Sequence, residues 1–135
     1  MASYKYLFSL IIGLSLIICA CENNNKCSDF KTGDFILHSK YLNSDILINR
    51  KDSIQVEKIV SSGKVIINKI EWINSCEYKL QYLNVNFPIS DSDLAYLRRQ
   101  SINTRILKTE KDYYIAESLA RGMSEPYIDT IKRVK

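Results

Sequence analysis

Between Asn74-Ser75 and Pro88 the chain carries a run in which Cys76, Tyr78, Leu80 and Tyr82 alternate with Glu77, Lys79 and Gln81 before ending at Val85. Alternation of that strictness is the two-residue period of a strand with one face buried, and a helix has no way to bury it on one side. Pro88 ends the run, because proline cannot donate to a ladder. A strand needs partners, so the rest of the chain has to supply them. Runs of similar length stand at Asp34 to His38, Asp45 to Arg50, Ile54 to Val60, Lys64 to Ile73, Ser101 to Thr109, Tyr113 to Leu119 and Tyr127 to Val134.

The breaks between these runs have turn chemistry. Lys31-Thr32-Gly33-Asp34 offers a glycine that takes positive φ at no steric cost, and Lys51-Asp52-Ser53 separates two apolar runs in the manner of a hairpin. Ser61-Ser62-Gly63, Glu110-Lys111-Asp112 and Arg121-Gly122 followed by Pro126 serve the same purpose. In the run from Ile54, the pair Ile54 and Val56 opposes Gln55 and Glu57, which gives one wet face. In the run from Lys64, Ile66, Ile70 and Trp72 share one phase and Val65 and Ile67 the other, which predicts a bulge or a strand buried on both faces. The exception to the strand pattern is Ser90 to Gln100. Ser90 with Asp93 forms a cap, acids lead, Arg98 and Arg99 trail, and Leu94 and Leu97 make a small apolar face, all of which predict one short helix. The expected fold is all-β: an antiparallel meander of about eight strands with one short helix, similar to a small lipocalin-like barrel or a strongly curled sheet, with a two-sheet sandwich as the second reading.

Ahead of this domain lies an apolar core from Leu7 to Ile18, with Lys5 before it and Ile18-Cys19-Ala20-Cys21 after it. Its length suits a signal h-region of about 7–15 residues better than a membrane span of about 20. The segment resembles the lipobox of bacterial lipoprotein signal peptides. That resemblance implies cleavage before Cys21, a diacylglycerol on its thiol and acylation of the new amine. Cys19 is an unusual middle residue, and as the lipidated position it would place β-branched Ile18 at the cleavage site. An uncleaved helical anchor and a cleaved signal releasing a soluble protein are the alternatives. The expected organisation is a signal peptide over residues 1–20, an asparagine-rich tether over 21–26 and one domain over 27–135, the protein held by lipid to a bacterial membrane of the cell envelope, with the outer membrane expected.

Cleavage leaves 115 residues and takes Lys5 away, lowering the net charge from +4 to +3. A chain of that size makes one core. Basic and acidic residues are interspersed, so no patch points to nucleic acid. With Cys19 removed and Cys21 lipidated, Cys27 and Cys76 remain, and an even pair in an oxidising compartment is expected to form a disulfide. The redox-active alternative would want a close C-x-x-C spacing and a local pKa device.

Cys27-x-x-Phe30-Lys31-Thr32-Gly33-x-Phe35, Asn49-Arg50 with Gln55 and Glu57, and Trp72-x-x-x-Cys76-x-Tyr78-x-Leu80 resemble a group of short lipoproteins of Bacteroidetes, chiefly flavobacteria. The resemblance covers most of the mature chain. Members are often called subunits of a type II DNA topoisomerase, a label this chain contradicts. It has no nucleotide-binding element, no acidic metal cluster and no nucleophilic-tyrosine domain. The resemblance implies place and fold rather than chemistry.

Reactive constellations are sparse. His38 is the one histidine, and zinc-finger and zincin spacings are missing, so neither a metal nor a cofactor is expected. No G-x-S-x-G elbow exists to support a Ser-His-Asp arrangement, and no catalytic residue is assigned. Asp91 and Asp93 read as helix-start residues, with acid or base work as the alternative. Arg98, Arg99 and Arg105 read as solvated, or as a receiver for an anion. Trp72, Tyr78 and Tyr82 share a phase and would fill the barrel interior or line a ligand cavity. The expected function is a non-enzymatic, lipid-anchored binding or interaction module that uses a sheet edge or the barrel mouth. Its partners would be the membrane and an envelope protein or small apolar ligand, not nucleic acid. The alternative is a small envelope enzyme with an acid/base site in the barrel mouth.

Overall fold

In a computed structural model the described residues are 24–135; the signal run, Cys19 and the lipidation position Cys21 lie outside them. The strands are β1 (Gly33–Ser39), β2 (Ser44–Lys51), β3 (Ile54–Ile59), β4 (Val65–Trp72), β5 (Glu77–Val85), β6 (Ser101–Thr109), β7 (Tyr113–Ala120) and β8 (Tyr127–Arg133). Each pairs antiparallel with the next, and β8 returns to β1 through Phe35↔Arg133, Ile36↔Lys132 and Leu37↔Ile131. The sheet is therefore a closed up-and-down barrel, neither a curled open sheet nor a sandwich. Closure gives every strand a neighbour on both sides, with the β1–β8 seam the shortest pairing. Among the described residues no helix is long and apolar enough to cross a membrane.

Local chemistry places most of the boundaries. Asp52 takes φ 54° in the β2–β3 turn, and Gly33 takes φ 125° at the start of β1. That φ is what favours glycine at position 33; a Cβ there would also stand 3.0 Å from the Arg133 Nη1 side-chain atom. The helix α1 (Asp91–Arg98) starts as expected: the Asp93 amide donates to Ser90 Oγ at 3.1 Å, and that hydroxyl donates to Asp93 Oδ2 at 2.6 Å. Asp91 and Asp93 are thus first-turn residues of a capped helix.

Two features differ from the sequence pattern. The register shift expected near the start of β4 lies between Ile67 and Asn68, but β4 pairs evenly with β3, and the extra residue belongs to β5, where Asn84 faces Ile67 and Tyr82 faces Asn68. The wet face of β3 is turned inward. Gln55 is 2% exposed while Ile54 is 37% exposed, because Gln55 lies in register with Arg50 on β2 and Asn68 on β4, both buried.

A 3-10 helix, Asn24–Phe30, seals the end of the barrel where β1 begins and β8 ends; it takes in Asn24, Asn25 and Lys26 of the expected tether. Residues three apart eclipse in a 3-10 helix, so Cys27 and Phe30 share its inner face, and both are buried. Cys27 forms the expected disulfide with Cys76, at the β4–β5 turn, with the Cα atoms 5.2 Å apart. Phe30 packs on Phe35 and Tyr114 with ring centroids 6.1 and 5.0 Å away. The Arg133 guanidinium covers both phenylalanine rings at 5.2 Å and donates to the Asp29 carbonyl. Each buried aromatic of this size contributes about 2–3 kcal/mol through area removed from water, so the base is the firmest part of the molecule.

Candidate functional site

Arg50 ends β2 inside the sealed base, 2% exposed. Among the described residues no carboxylate pairs with it. Its Nε donates to Gln55 Oε1 at 2.6 Å, Nη1 to the Phe30 carbonyl at 3.0 Å, and Nη2 to the Tyr78 and Tyr114 hydroxyls at 2.9 and 2.7 Å. The rings of Phe35, Tyr78 and Tyr114 lie 5.1, 4.7 and 5.6 Å from the guanidinium carbon, so cation–π attraction surrounds the charge. Burial alone would lower the Arg50 pKa, but the two phenol oxygens outweigh it and the net direction is upward. The same burial, with Tyr78 beside it, holds the Tyr114 phenol well above its ordinary range. The base therefore contains a fixed cation and a neutral phenol.

The charge is passed up the barrel by amides. Gln55 accepts from Arg50 and donates from Nε2 to Glu57 Oε1 at 2.6 Å; Asn68 Nδ2 donates to the same oxygen at 3.1 Å. Glu57 Oε2 has no hydrogen-bond partner among the described residues. Burial pushes the Glu57 carboxyl up, against the pull of Gln55, Arg50 and Asn68. Glu57 is partly buried and keeps some accessible surface.

Above the base the inward phase mixes apolar side chains, Leu37, Ile46 and Ile102, with polar ones. By strand alternation Tyr82 (β5), Thr104 (β6), Ser118 (β7), Tyr127 and Asp129 (β8) share the inward phase, with Tyr82 in register with Asn68, and Ser118 with Thr104 and Tyr127. Thr104 and Ser118 hydroxyls meet at 2.9 Å. Burial raises the Tyr82 phenol, and the Glu57 charge adds to it. Burial, then the charges of Asp129 and Glu57, push Tyr127 up to about 12 against a hydrogen bond with Ser118. Tyr127 is also 40% exposed, which places it at the rim: its ring meets water while its hydroxyl turns in toward Ser118. Burial raises Asp129, and Lys40 opposes the shift. Above the aromatic, cationic base the inward phase thus carries two carboxylates, Glu57 and Asp129, and two phenols, Tyr82 and Tyr127, among apolar side chains.

The residues expected to line a cavity divide between these halves. Trp72 and Tyr78 stack at 4.7 Å beside the disulfide and belong to the packed base, where Tyr78 is held by Arg50. Trp72 Nε1 is buried without a hydrogen-bond partner among the described residues, and Lys31 Nζ sits 5.2 Å from its ring. Tyr82 alone of the three reaches the polar half. The arginines do not converge: Arg105 pairs with Glu117 at 2.5 Å on the outer wall, Arg98 Nε donates to the Leu83 carbonyl at 3.0 Å, and the Arg99 carbonyl accepts from Arg121. His38 pairs with Asp45 at 2.9 Å on the outside, well exposed. An outer groove of about 400 Å³ runs over β5, β6 and β7, lined by Ile73, Glu77, Asn103, Arg105, Glu117, Leu119 and Pro126 among others. Among the described residues no three His, Cys, Asp or Glu side chains are grouped to hold a metal ion.

Arg50, Gln55, Glu57 and Asp129 were not singled out as site residues by sequence pattern. The available signal was the phase of β2, where Arg50 follows Ile46 and Ile48 at two-residue steps; a tight β2–β3 turn then puts Gln55 opposite Arg50. Apolar Leu47 in the opposite phase obscured it.

No protein-family model, curated protein or solved structure matches the chain.

Proposed function

We propose that the protein is a lipid-anchored binding module of the bacterial cell envelope, and that the open half of the barrel lumen is where it binds. The observation that carries the binding role is the Arg50–Gln55–Glu57 relay, which ends on a carboxylate oxygen with no protein partner among the described residues, inside a barrel sealed at its other end. A small barrel of purely structural purpose fills its interior with apolar side chains. Here the base is filled in that way, while the inward phase above it also carries Glu57, Tyr82, Tyr127 and Asp129. The anchor is supported by Ile18-Cys19-Ala20-Cys21, by the resemblance to lipoproteins of Bacteroidetes, and by a disulfide suited to an oxidising compartment. With a neighbour on both sides of every strand, the binding surface narrows to the mouth and lumen.

Intact mass spectrometry of the protein extracted from membranes, under native and denaturing conditions, tests this reading. The expected denatured mass starts at acylated Cys21 and is two hydrogens lighter without reductant, and the native ion carries additional small-molecule mass. An unprocessed chain with free thiols, or a mature chain without acyl groups, would overturn the anchor. One observation favours the enzyme reading as an alternative: burial raises both the Glu57 and the Asp129 carboxyls above their ordinary range. Chemical change of the bound molecule on standing with the protein would select it.

A further inference from the structure

The barrel wall is incomplete at two places near the mouth, and the chain treats them differently. The β5–β6 register stops at Gln81↔Ser101 although β5 runs on to Val85. There the segment around α1 closes the gap: Arg98 Nε donates to the Leu83 carbonyl at 3.0 Å, and Gln81 Nε2 donates to the Arg98 carbonyl at 3.1 Å. The β1–β8 register stops at Leu37↔Ile131, although β8 begins at Tyr127 and β1 continues to Ser39. Beyond that point β8 stays paired with β7 as far as Ser118↔Tyr127, and β1 stays paired with β2 as far as Ser39↔Ser44. Each strand therefore keeps its outer partner and loses the other.

The direction of the backbone groups follows from the end of β8. The Arg133 N–H donates to the Asp112 carbonyl at 2.7 Å, on the β7 side, and the Val134 N–H donates to the Asp34 carbonyl at 2.9 Å, on the β1 side. Backbone groups alternate sides along an antiparallel strand, so Ile128 and Thr130, in phase with Val134, direct theirs into the gap. Among the described residues no side chain bonds to the backbone of Ile128 or Thr130, and no helix covers them. Proteins ordinarily cover or blunt such an edge. Ile128, 63% exposed, does neither.

We infer that the gap receives an extended acidic peptide segment of a partner protein, added as a strand along Tyr127–Thr130 at the mouth. An extended backbone is the chemistry that satisfies a row of strand donors and acceptors, and side chains beside it set the preference. Those side chains are basic and apolar. Lys132 stands just below the gap and Lys40 borders it from β1, and neither is in an ion pair among the described residues. The nearby acids on the outer wall are engaged, Asp45 with His38 and Glu117 with Arg105. An incoming strand would thus set an apolar residue on Ile128 and carboxylates toward the two lysines. Asp129, in the inward phase, favours a small polar residue beside it. These groups belong to the wall, so the inference is independent of what the lumen holds.

The mature protein, extracted in detergent and labelled with nitrogen-15, is titrated with the blocked peptide Glu-Thr-Val-Thr-Glu while amide resonances are followed. Two controls accompany it: the same peptide N-methylated at valine and the second glutamate, and a peptide with lysine in place of both glutamates. The expected result is saturable shifts at Ile128 and Thr130 with the parent peptide, none with the methylated one, and binding at least about tenfold weaker with the lysine peptide. Ile128→Pro removes an N–H that faces the gap and leaves the ladder to β7 intact, so its spectrum stays dispersed and the shifts are lost. Lys132→Glu, which touches no backbone donor, narrows the preference for the acidic peptide. Equal binding of the methylated peptide, an unchanged preference in Lys132→Glu, or no shift at Ile128 and Thr130 would overturn the inference. Shifts at those amides that grow with protein concentration alone would overturn it too, in favour of a second copy of the chain.

Discussion

Arg50 shows what one side chain does to the rest of this interior. A buried guanidinium is tolerated because each group it faces is an oxygen or a ring face, and its planar fork reaches Gln55, Phe30, Tyr78 and Tyr114 at once. Lysine carries the same charge on a single point and cannot span that set. Arg50→Lys is therefore expected to lose about 3 kcal/mol in urea unfolding, because acceptors in the base are left unpaired; a loss under about 0.5 kcal/mol would mean that the fork is not what holds them. Glu57 has the opposite sign. Its carboxyl titrates higher in the folded chain than in the unfolded one, so the folded state binds the proton more tightly. The stability this contributes is complete below the ordinary carboxylate range and is lost as pH rises through the raised folded value. Glu57→Gln keeps an acceptor for the Gln55 and Asn68 amides without a charge to desolvate. Its melting temperature is expected to match the parent below the ordinary carboxylate range, about pH 4, and to gain on it as pH rises. A variant whose melting temperature instead falls below the parent's as pH rises would show that Arg50 gains more from the Glu57 charge than burial costs.

At the scale of elements, the strands were legible because a two-residue period and turn chemistry are local properties. Tyr78, Leu80 and Tyr82 announce β5 and its inward face, Gly33 and Asp52 mark turns, and Ser90 caps α1. The facing of β3 was not legible in the same way. Alternation fixes two faces but not which one is inside, and Gln55 and Glu57 read as solvated only on the assumption that the interior is apolar. The 3-10 helix was hidden for another reason: Asn24–Phe30 has no periodic apolar pattern, and its burial depends on Cys76, 49 positions away. That dependence can be tested. Replacing Cys27 and Cys76 by serine removes a closure worth about 4 kcal/mol in the chain-entropy model. The unfolding midpoint is expected to fall accordingly, and the amides from Cys27 to Lys31 to exchange with solvent long before those of β5 and β6. If those amides stay as protected as the strands, then Phe30, Arg50 and Arg133 hold the plug without the disulfide.

For the molecule as a whole, closure is the weak seam. The β1–β8 junction has three register pairs, Phe35 to Leu37 against Ile131 to Arg133, whereas β1 and β2 share seven. Deleting residues 127–135 removes β8, the Arg133 cover over Phe30 and Phe35, and one wall of the lumen. The expected result is loss of a single cooperative unfolding transition, followed by the fluorescence of Trp72, the one tryptophan; a sharp transition in the truncated chain would show that the seven remaining strands close by themselves. The plug also has a directional consequence. Chain entry and plug lie at the same end of the barrel, and Asn24 stands three positions after Cys21, a reach of about 10 Å when fully extended. A chain fastened to a bilayer at Cys21 would therefore stand on its stoppered end, with the mouth turned to the aqueous side. Whatever enters would arrive dissolved in water rather than by lateral diffusion from the lipid, and a detergent that masks the bilayer surface should leave access to the lumen unchanged.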